Sequence, residues 1–218
     1  MEINQSNSEN WLFKKGERHL FILPCCKRKN RISVNCTLVP PTFFFNVAQV
    51  PEVKNLMDNR ATNIANNPNA IEMPNISNKA LDLYDGQLYR RLKEHQGLIT
   101  EKMDDGKLDI IIVSALYGVV NYDSCIVKYD LEMDDPIVNY WGDSIRKAIL
   151  KYIEVNKFDR VHSFLRPTTY HMAATNNTPL HAHHEAYWSN QVGGNAMRGN
   201  YAIYNNVADK AISILRAI

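Results

Sequence analysis

The chain has 218 residues, of which 45% are hydrophobic, so it can bury the core of a single domain of α/β type. No apolar run is long enough to cross a bilayer, and the polar first ten residues do not resemble a signal peptide, so we expect a cytoplasmic protein without a membrane partner. A net charge of only +2 excludes a uniformly basic or acidic chain.

The first predicted element is a strand at residues 19–23, which Pro24 ends and a basic loop follows. Seven Lys or Arg residues against one acid lie between residues 14 and 31, whereas residues 101–135 hold nine acids and three bases. Clustered cations suit a phosphate-bearing partner, although a solvated surface is the alternative for any single residue. Nucleic acid is a partner of this kind. The contacts expected in this part of the chain are Lys14, Lys15, Arg28, Lys29 and Arg31.

The four cysteines, Cys25, Cys26, Cys36 and Cys125, do not have the spacing of a zinc site. A reducing compartment favours free thiols over disulfides, so we expect all four to be free. Three cations follow Cys26 directly in the sequence. They predict a lowered pKa for its thiol and leave nucleophilic thiol chemistry as one hypothesis.

Residues 37–76 are rich in Pro and Asn, which predicts short helices joined by loops rather than long elements. Ser77 is expected to cap a helix that runs to about residue 95, because its apolar residues recur near every 3.6 positions. Gly86 inside this helix would cost about 1 kcal/mol relative to Ala. It would share a helical face with Asp82, four residues earlier, and leave open space beside that carboxylate.

A buried strand is predicted at residues 109–113, because this segment is short, β-branched and without polar alternation. It leads directly into Ser114, Tyr117 and Gly118. A hydroxyl, an aromatic ring and a permissive backbone are typical of a strand end that binds a ligand in an open α/β sheet. An ordinary turn after a strand is the alternative.

Later elements complete an alternation of strands and helices. Pro136 starts a predicted helix, residues 160–165 form a strand, and residues 207–218 form a closing helix. We therefore predict a polar segment, 1–18, followed by a single α/β domain, 19–218, with a central, mostly parallel sheet flanked by helices. The apolar stripe of the helix after Pro136 comprises Ile145, Ala148, Ile149, Tyr152 and Ile153.

Polar loops follow three of the predicted strands, and the carboxyl ends of parallel strands meet at one edge of a sheet. We expect this edge to carry the functional site, with Arg166 and Tyr170 contributed by the last of the three loops. A second cluster, His181, His183 and His184, offers ligands to a transition metal. Solvated histidines in a polar loop are the favoured alternative there, and we expect neither a metal nor a cofactor.

Four segments follow one another with a recognisable order and spacing: DLYDG at 82–86, VSALYGVV at 113–120, KYDLEM at 128–133 and YWGD at 140–143. The succession resembles the peroxide stress protein YaaA family, and the likeness runs from about residue 19 to 200. The start of the chain also resembles related small uncharacterised domains with a Cys-x-Lys-Arg-Lys-like opening. Further points of likeness are Pro24, Lys27, Tyr170 and Arg198-Gly199.

The resemblance implies a YaaA-like mixed α/β fold with a positively charged cleft, DNA binding, and kinship with enzymes that handle nucleobases. One departure concerns the helix-hairpin-helix element that the family places before its Asp-x-Tyr-x-Gly segment. Such hairpins usually need Gly, and this chain has none between Glu17 and Asp85. The basic residues 14–31 are then expected to carry more of the contact with phosphate.

An enzyme that acts on a base in DNA extrudes the base into a pocket that stacks on aromatic rings and reads polar edges. We predict such a pocket at the Asp-x-Tyr-x-Gly and Tyr-Gly segments, although core packing with one satisfied polar tip is the alternative for each ring. The candidate pocket residues are Tyr84, Gly86, Tyr117, Gly118, Tyr129, Trp141 and Tyr170.

Cleavage of an N-glycosidic bond develops positive charge on the sugar, which a nearby carboxylate can stabilise while it orients water. Asp82 is the first candidate for this role, ahead of Asp130 and Asp143. The other catalytic candidates are Lys27 and Ser114, and Arg166 and Arg198 are further candidates for contacts with DNA.

Two functions are therefore predicted. The first is a DNA glycosylase, a hydrolase that removes a modified or damaged base, for example in defence against phage with modified genomes. The alternative is a non-catalytic DNA-binding protein of the peroxide stress response that protects DNA or limits iron.

Overall fold

The computed structural model of the chain describes residues 16–30, 36, 50–166, 169–187 and 201–218. Part of the sequence-based prediction lies outside the described residues, namely Lys14, Lys15, Arg31, Arg198 and residues 37–49.

A five-stranded sheet forms the centre of the fold. Its strands are His19–Pro24 (β1), Leu108–Ser114 (β3), Gly118–Asn121 (β4), Arg160–Ser163 (β6) and His184–Ala186 (β7). Their order is β4-β3-β1-β6-β7, in which only β4 runs antiparallel to its neighbour. Two more strands, Ile71–Lys79 (β2) and Cys125–Tyr129 (β5), form a separate antiparallel sheet.

Helices flank the central sheet on both faces, which confirms the predicted α/β fold with a mostly parallel sheet. Within the described residues, no helix is long and apolar enough to cross a membrane. The helices are Pro51–Asn66 (α1), Ala80–Leu83 (α2), Gln87–Lys93 (α3), Gln96–Asp104 (α4), Asp135–Trp141 (α5), Ser144–Asn156 (α6), Thr169–Thr175 (α7) and Tyr201–Ala217 (α8), with one 3-10 turn at Pro68–Ala70.

The strands β1 and β3 are buried on both faces, as their unbroken apolar sequences predict. Successive side chains point to opposite faces, so each strand feeds two separate cores. The first face is covered mainly by α3 and α8, and the second mainly by α1 and α6. The first face takes Phe21, Leu23, Ile110 and Ile112, and the second takes Leu20, Ile22, Ile111 and Val113.

The prediction of short helices in residues 37–76 is wrong for its described part, because α1 runs without interruption for 16 residues. Two polar side chains on its inner face explain the difference. Arg60 donates to the carbonyl oxygens of Tyr117 and Val119, and the Asn63 amide donates to those of Ala115 and Leu116. A polar sequence therefore forms a long helix because its buried polar groups bind the main chain after β3.

The prediction of one helix from Ser77 to about residue 95 is also wrong. Residues as far as 79 pair with β5 as a strand, α2 ends at Leu83, and Gly86 lies at the N-cap of α3. Asp82 and Gly86 consequently do not share a helical face. Over residues 50–85, which the structure describes in full, α1 leads into β2 and no helix-hairpin-helix occurs.

The helix predicted after Pro136 is divided into α5 and α6 at Gly142, whose φ of +48° ends α5. Its predicted apolar stripe, from Ile145 to Ile153, is buried on the second face as expected. Asp143, the third candidate carboxylate, occupies the N-cap position of α6. The strand predicted at 160–165 ends at Ser163, and the closing helix starts earlier, at Tyr201.

Cys36 and Cys125 form a disulfide with their Cα atoms 5.9 Å apart, so the expectation of four free thiols is wrong for this pair. Residue 36 lies beside the small sheet, where its carbonyl accepts a hydrogen bond from Ser77. The pairing of β2 with β5 places the two cysteines together across 89 residues of sequence. Cys25 and Cys26 are free.

Candidate functional site

The strand order reverses between β1 and β6. The chain leaves β1 and returns as β3 on one side, and then crosses to the other side to form β6. In open α/β sheets a ligand binds at the carboxyl ends of the strands where the order reverses, because the two loops there diverge and leave a crevice. We call this place the switch point. It lies between the loop after Pro24 and the loop after Ser163.

Two side chains meet at the switch point. The thiol of Cys25, from the loop after β1, lies 3.0 Å from the hydroxyl of Tyr170 at the start of α7. Arg166 lies between β6 and α7 and is partly exposed. Burial, followed by the nearby Cys25, raises the pKa of Tyr170, so this phenol stays neutral and can act as a hydrogen-bond donor.

Ser114, Tyr84 and Tyr129 form a buried hydroxyl cluster on the first face. The hydroxyl of Tyr129 lies 2.8 Å from Ser114 Oγ and 2.9 Å from the hydroxyl of Tyr84. Burial raises the pKa of both tyrosines well above the usual value. Ser114 also accepts a hydrogen bond from the main chain of Tyr117. Its described partners are thus a phenol and a main-chain N–H rather than a general base, which is unlike an activated nucleophile.

Lys29 packs against the hydroxyl cluster, although the sequence predicts it as a contact to DNA. Its Nζ lies 4.0 Å from the ring centre of Tyr129 and 5.9 Å from that of Tyr84, and the residue is only 8% exposed. A backbone bridge between Lys29 and Tyr84 fixes this position. Burial lowers the pKa of the amine, while the two thiols act in the opposite direction. The neighbouring rings and not the solvent surround this side chain.

Gly86 leaves space for the thiol of Cys26. A Cβ atom at Gly86 would lie 3.1 Å from both Cβ and Sγ of Cys26, and the Gly86 N–H donates to that sulfur. The thiol in turn donates to the carbonyl of Arg28. Burial, and then Cys25, raises the pKa of Cys26 to about 11. The predicted lowering of this pKa is therefore wrong, because desolvation outweighs the neighbouring cations.

The exposed cations of the loop after β1 form ion pairs. Lys27 reaches Glu132 at 3.0 Å, and Arg28 and Arg90 both reach the carboxylate of Asp85, at 3.0 and 2.7 Å. The hydrogen bond from Arg90 is the main reason why the pKa of Asp85 is lowered. The sequence-based prediction missed Asp85 as a carboxylate of this edge. Its adjacency to Gly86 was the available signal.

Asp82 lies apart from the hydroxyl cluster. It belongs to α2 and is partly exposed, and its main-chain carbonyl accepts hydrogen bonds from Asn30 and Lys93. Within the described part of the chain, its carboxylate makes no hydrogen bond or ion pair with the cluster. Asp85 is linked to the Cys26 thiol through the main chain of Gly86, which follows it, and through Arg28, with which it pairs.

Three of the predicted pocket residues take part in packing. Trp141 lies in the core of the second face, opposite the hydroxyl cluster, and its indole N–H donates to the Ala115 carbonyl. Gly118 has a φ of +74°, and a Cβ there would lie 3.0 Å from the Trp141 ring. The hydroxyl of Tyr117 accepts from the Val127 N–H, and burial raises its pKa to about 12. Trp141 and Gly118 therefore do not join the other candidates.

The histidine cluster precedes β7. His181 and His183 lie in the turn before the strand, so they do not alternate along it, and His184 accepts a hydrogen bond from the main chain of Leu180. Among the described residues, no group of three or more His, Cys, Asp or Glu side chains is placed to hold a metal ion.

Two comparisons with known proteins bear on this site. A sequence profile of the family described as "Peroxide stress protein YaaA" matches residues 44–198. A search of curated proteins found no match. The matched range includes Tyr84, Gly86, Ser114, Tyr129 and Tyr170 but excludes β1 and the loop with the free thiols and Lys29. Because the match covers well over half of the chain, the protein belongs to the peroxide stress protein YaaA family.

Proposed function

We propose that this protein serves the peroxide stress response by binding DNA at the carboxyl edge of its sheet and excising a modified or damaged base there. The observation that carries the proposal is the switch point, where Cys25 and Tyr170 meet and Arg166 lies in the adjoining loop. A site for a nucleotide unit needs cations for phosphate and polar groups for the edges of a base. This edge offers both kinds of group.

The cations would hold the phosphates on either side of the target base. Lys27 and Arg28 have side chains that are 74% and 68% exposed, and each is paired with a carboxylate that a phosphate would replace. Tyr170, which is half-buried at the switch point, is the ring best placed to stack on a base. The hydroxyl cluster is fully enclosed, so it would support the site from below rather than stack on the base.

Excision requires a carboxylate that stabilises the positive charge on the sugar and orients water. Asp82 is the candidate that the family resemblance favours, and Asp85 is the candidate that Gly86 and Arg28 link to the Cys26 thiol. Asp85 already neutralises Arg28 and Arg90, so it is also needed to hold the loop. Asp82 carries no such ion pair within the described residues, which leaves its carboxylate available for chemistry.

The test is mass spectrometry of the free bases and nucleosides released from modified phage DNA, with unmodified DNA as the reference. Release of one base by the wild-type protein, loss of release in Asp82→Asn and full release in Asp105→Asn would support excision. Asp105 is a suitable control because it pairs with Lys107 before β3, at the opposite end of the strands. If a broad panel of modified DNAs stays intact, excision is refuted.

The second candidate function is non-catalytic protection of DNA. One observation favours it: Tyr84 and Tyr129 are buried and bind each other, so two predicted pocket rings are enclosed. This candidate predicts DNA binding that weakens with salt, and slower damage of the bound DNA by peroxide and iron, without release of any base. Measurement of strand breaks in the presence and absence of the protein would separate it from excision.

A further inference from the structure

Lys29 differs from the other lysines near the switch point. Lys27 is exposed and pairs with Glu132, and Lys93 donates to the carbonyl oxygens of Asp82 and Tyr84. Lys29 is only 8% exposed, and its Nζ forms no ion pair or hydrogen bond with the residues that the structure describes. It lies over the face of the Tyr129 ring. An ammonium group in this position lacks the partner that a buried charge needs.

The surroundings favour the neutral amine. Desolvation is the largest effect on Lys29 and lowers its pKa, and the ring contact at 4.0 Å recovers only part of the lost hydration. Desolvation increases the fraction of a lysine that carries a free lone pair, and such a lysine is the usual amine nucleophile toward carbonyl carbon. A structural lysine would be held by a carboxylate, as Lys128 is by Glu72 in the same region.

The position of Lys29 also suits a reaction at the switch point. It follows β1 by five residues, and its electrostatic neighbours include both Cys25 and Cys26. The Cys25 thiol touches Tyr170, while the ring below the amine carries the central hydroxyl of the cluster. Neutral hydroxyls of this kind can donate a hydrogen bond to an oxygen that leaves a carbonyl carbon.

We propose that Lys29 is a nucleophilic amine that forms an imine with an aldehyde at the switch point. The lone pair attacks the aldehyde carbon, and the two amine protons leave with the carbonyl oxygen as water, so that C=N replaces C=O. Hydrolysis reverses the step and needs no other reactant. The choice of natural substrate rests on the proposed function: the aldehyde is the ring-opened deoxyribose of an abasic site, which base excision produces.

The experiment traps the imine by reduction in the full-length protein. One arm uses glycolaldehyde with cyanoborohydride at neutral pH, and peptide mass spectrometry measures the adduct at each lysine. Because its lowered pKa leaves a larger neutral fraction at a given pH, the Lys29 peptide should carry more adduct than that of exposed Lys147. The second arm uses a duplex oligonucleotide with one abasic site and measures the covalent complex.

Two variants complete the design. Lys29→Arg keeps a long basic side chain at this position but cannot form an imine, so it should lose the covalent complex with DNA. Lys147→Arg on the second face is the matched control and should keep it. The wild-type peptide map requires no variant and therefore holds even if Lys29→Arg folds poorly.

The outcomes separate the two proposals. Adduct at Lys29 in both arms supports the amine and the DNA substrate together. Adduct with glycolaldehyde but no complex with abasic DNA supports the amine and contradicts its use on DNA. Adduct at surface lysines with none at Lys29 overturns the imine, while salt-dependent DNA binding would still be measured independently.

Discussion

The two ends of β1 both bury polar side chains on the first face, but only the polar side chains at the amino end are hydrogen-bonded to a carboxylate among the described residues. At the amino end, His19 and His162 lie 2.9 Å apart, and His162 reaches the Tyr187 hydroxyl at 2.8 Å. This chain of hydrogen bonds leads to charged groups, because Tyr187 donates to Glu185, which lies beside Arg160. At the carboxyl end, thiols, phenols and the Lys29 amine meet one another, and no carboxylate of the described residues hydrogen-bonds to the hydroxyl cluster.

The difference indicates separate roles for the two ends. At the amino end, burial keeps the two histidines neutral and their hydrogen bonds hold them in one arrangement, which serves stability. The carboxyl end holds a Cys26 thiol and phenols whose pKa values are raised by burial, and it lies where a parallel sheet binds ligands, which suits the binding proposed for it. Conditions that charge the histidines should therefore unfold the protein, whereas changes at the carboxyl end should alter binding or reaction more than folding.

Acid should produce the largest loss of stability, and it should act through the amino end. Burial lowers the pKa of His19 to about 4 and that of His162 to about 3, Arg160 adds to both shifts, and Glu17 opposes the shift of His19. The unfolded histidines bind protons near pH 6.5, so stability is complete above that value and is lost as the pH falls toward 4. The loss for one histidine is on the order of 3 kcal/mol, measurable by urea unfolding at a series of pH values.

The variant His162→Phe identifies the source of this loss. A Phe ring keeps the stacking against Tyr187 but cannot bind a proton, so the dependence of unfolding free energy on pH should become shallower. His183→Asn is the matched control, because this ring is exposed in the turn before β7 and should leave the slope unchanged. Equal slopes in wild type and His162→Phe would contradict the assignment.

Removal of the central hydroxyl at the carboxyl end should have the next largest effect on stability. Tyr129→Phe leaves the hydroxyls of Ser114 and Tyr84 without this buried partner, which should cost about 1–3 kcal/mol in the free energy of unfolding. Tyr122→Phe is the control, since that ring is only partly buried, and it should change the free energy by less than about 0.5 kcal/mol. Equal effects from the two variants would contradict the contribution of the hydroxyl cluster to stability.

Local pattern was sufficient to predict the central strands and two helices. The apolar run at 109–113 and the stripe from Ile145 to Ile153 report burial within a few residues, and the structure agrees with both. The prediction of short helices joined by loops in residues 37–76 was wrong over residues 51–66, because Arg60 and Asn63 are satisfied by carbonyl groups more than 50 residues away. The pairing of β2 with β5 likewise overrides the helical spacing around Ser77.

The site was only partly predictable for the same physical reason. Parallel strands place the ends of β1, β3 and β6 at one edge, so the general location follows from the element order. The burial of Lys29 and the raised pKa of Cys26 depend on contacts with Tyr129 and Gly86, which are distant in the sequence. Adjacent cations alone suggested the opposite charge state for the Cys26 thiol.

Crowding at Gly86 should give a smaller effect at the carboxyl end. Gly86→Ala places a Cβ atom 3.1 Å from the Cys26 side chain and should destabilise the protein by about 1 kcal/mol in urea unfolding. Gly86 has an ordinary φ of −70°, so backbone strain does not contribute. Gly97→Ala in α4 is the control, because its Cβ meets nothing within 4 Å and should stabilise the helix.

A double-mutant cycle identifies the cause. If crowding against sulfur is responsible, Cys26→Ala should recover most of the loss in the Gly86→Ala background, so that the two changes are not additive. Additive losses would instead indicate a general effect at the start of α3.

The smallest expected effect on stability, and the sharpest on DNA binding, comes from Lys27→Ala. The pair of Lys27 with Glu132 is exposed on both sides, so its loss should change the free energy of unfolding by less than about 0.5 kcal/mol. If Lys27 contacts a phosphate, the slope of log affinity against log salt should fall by about 1. Lys54→Ala is matched in exposure and ion pairing, through Asp58, but lies on α1 over the second face, so it should leave that slope unchanged. An equal fall in both variants would mean that DNA meets the whole basic surface and not the carboxyl edge.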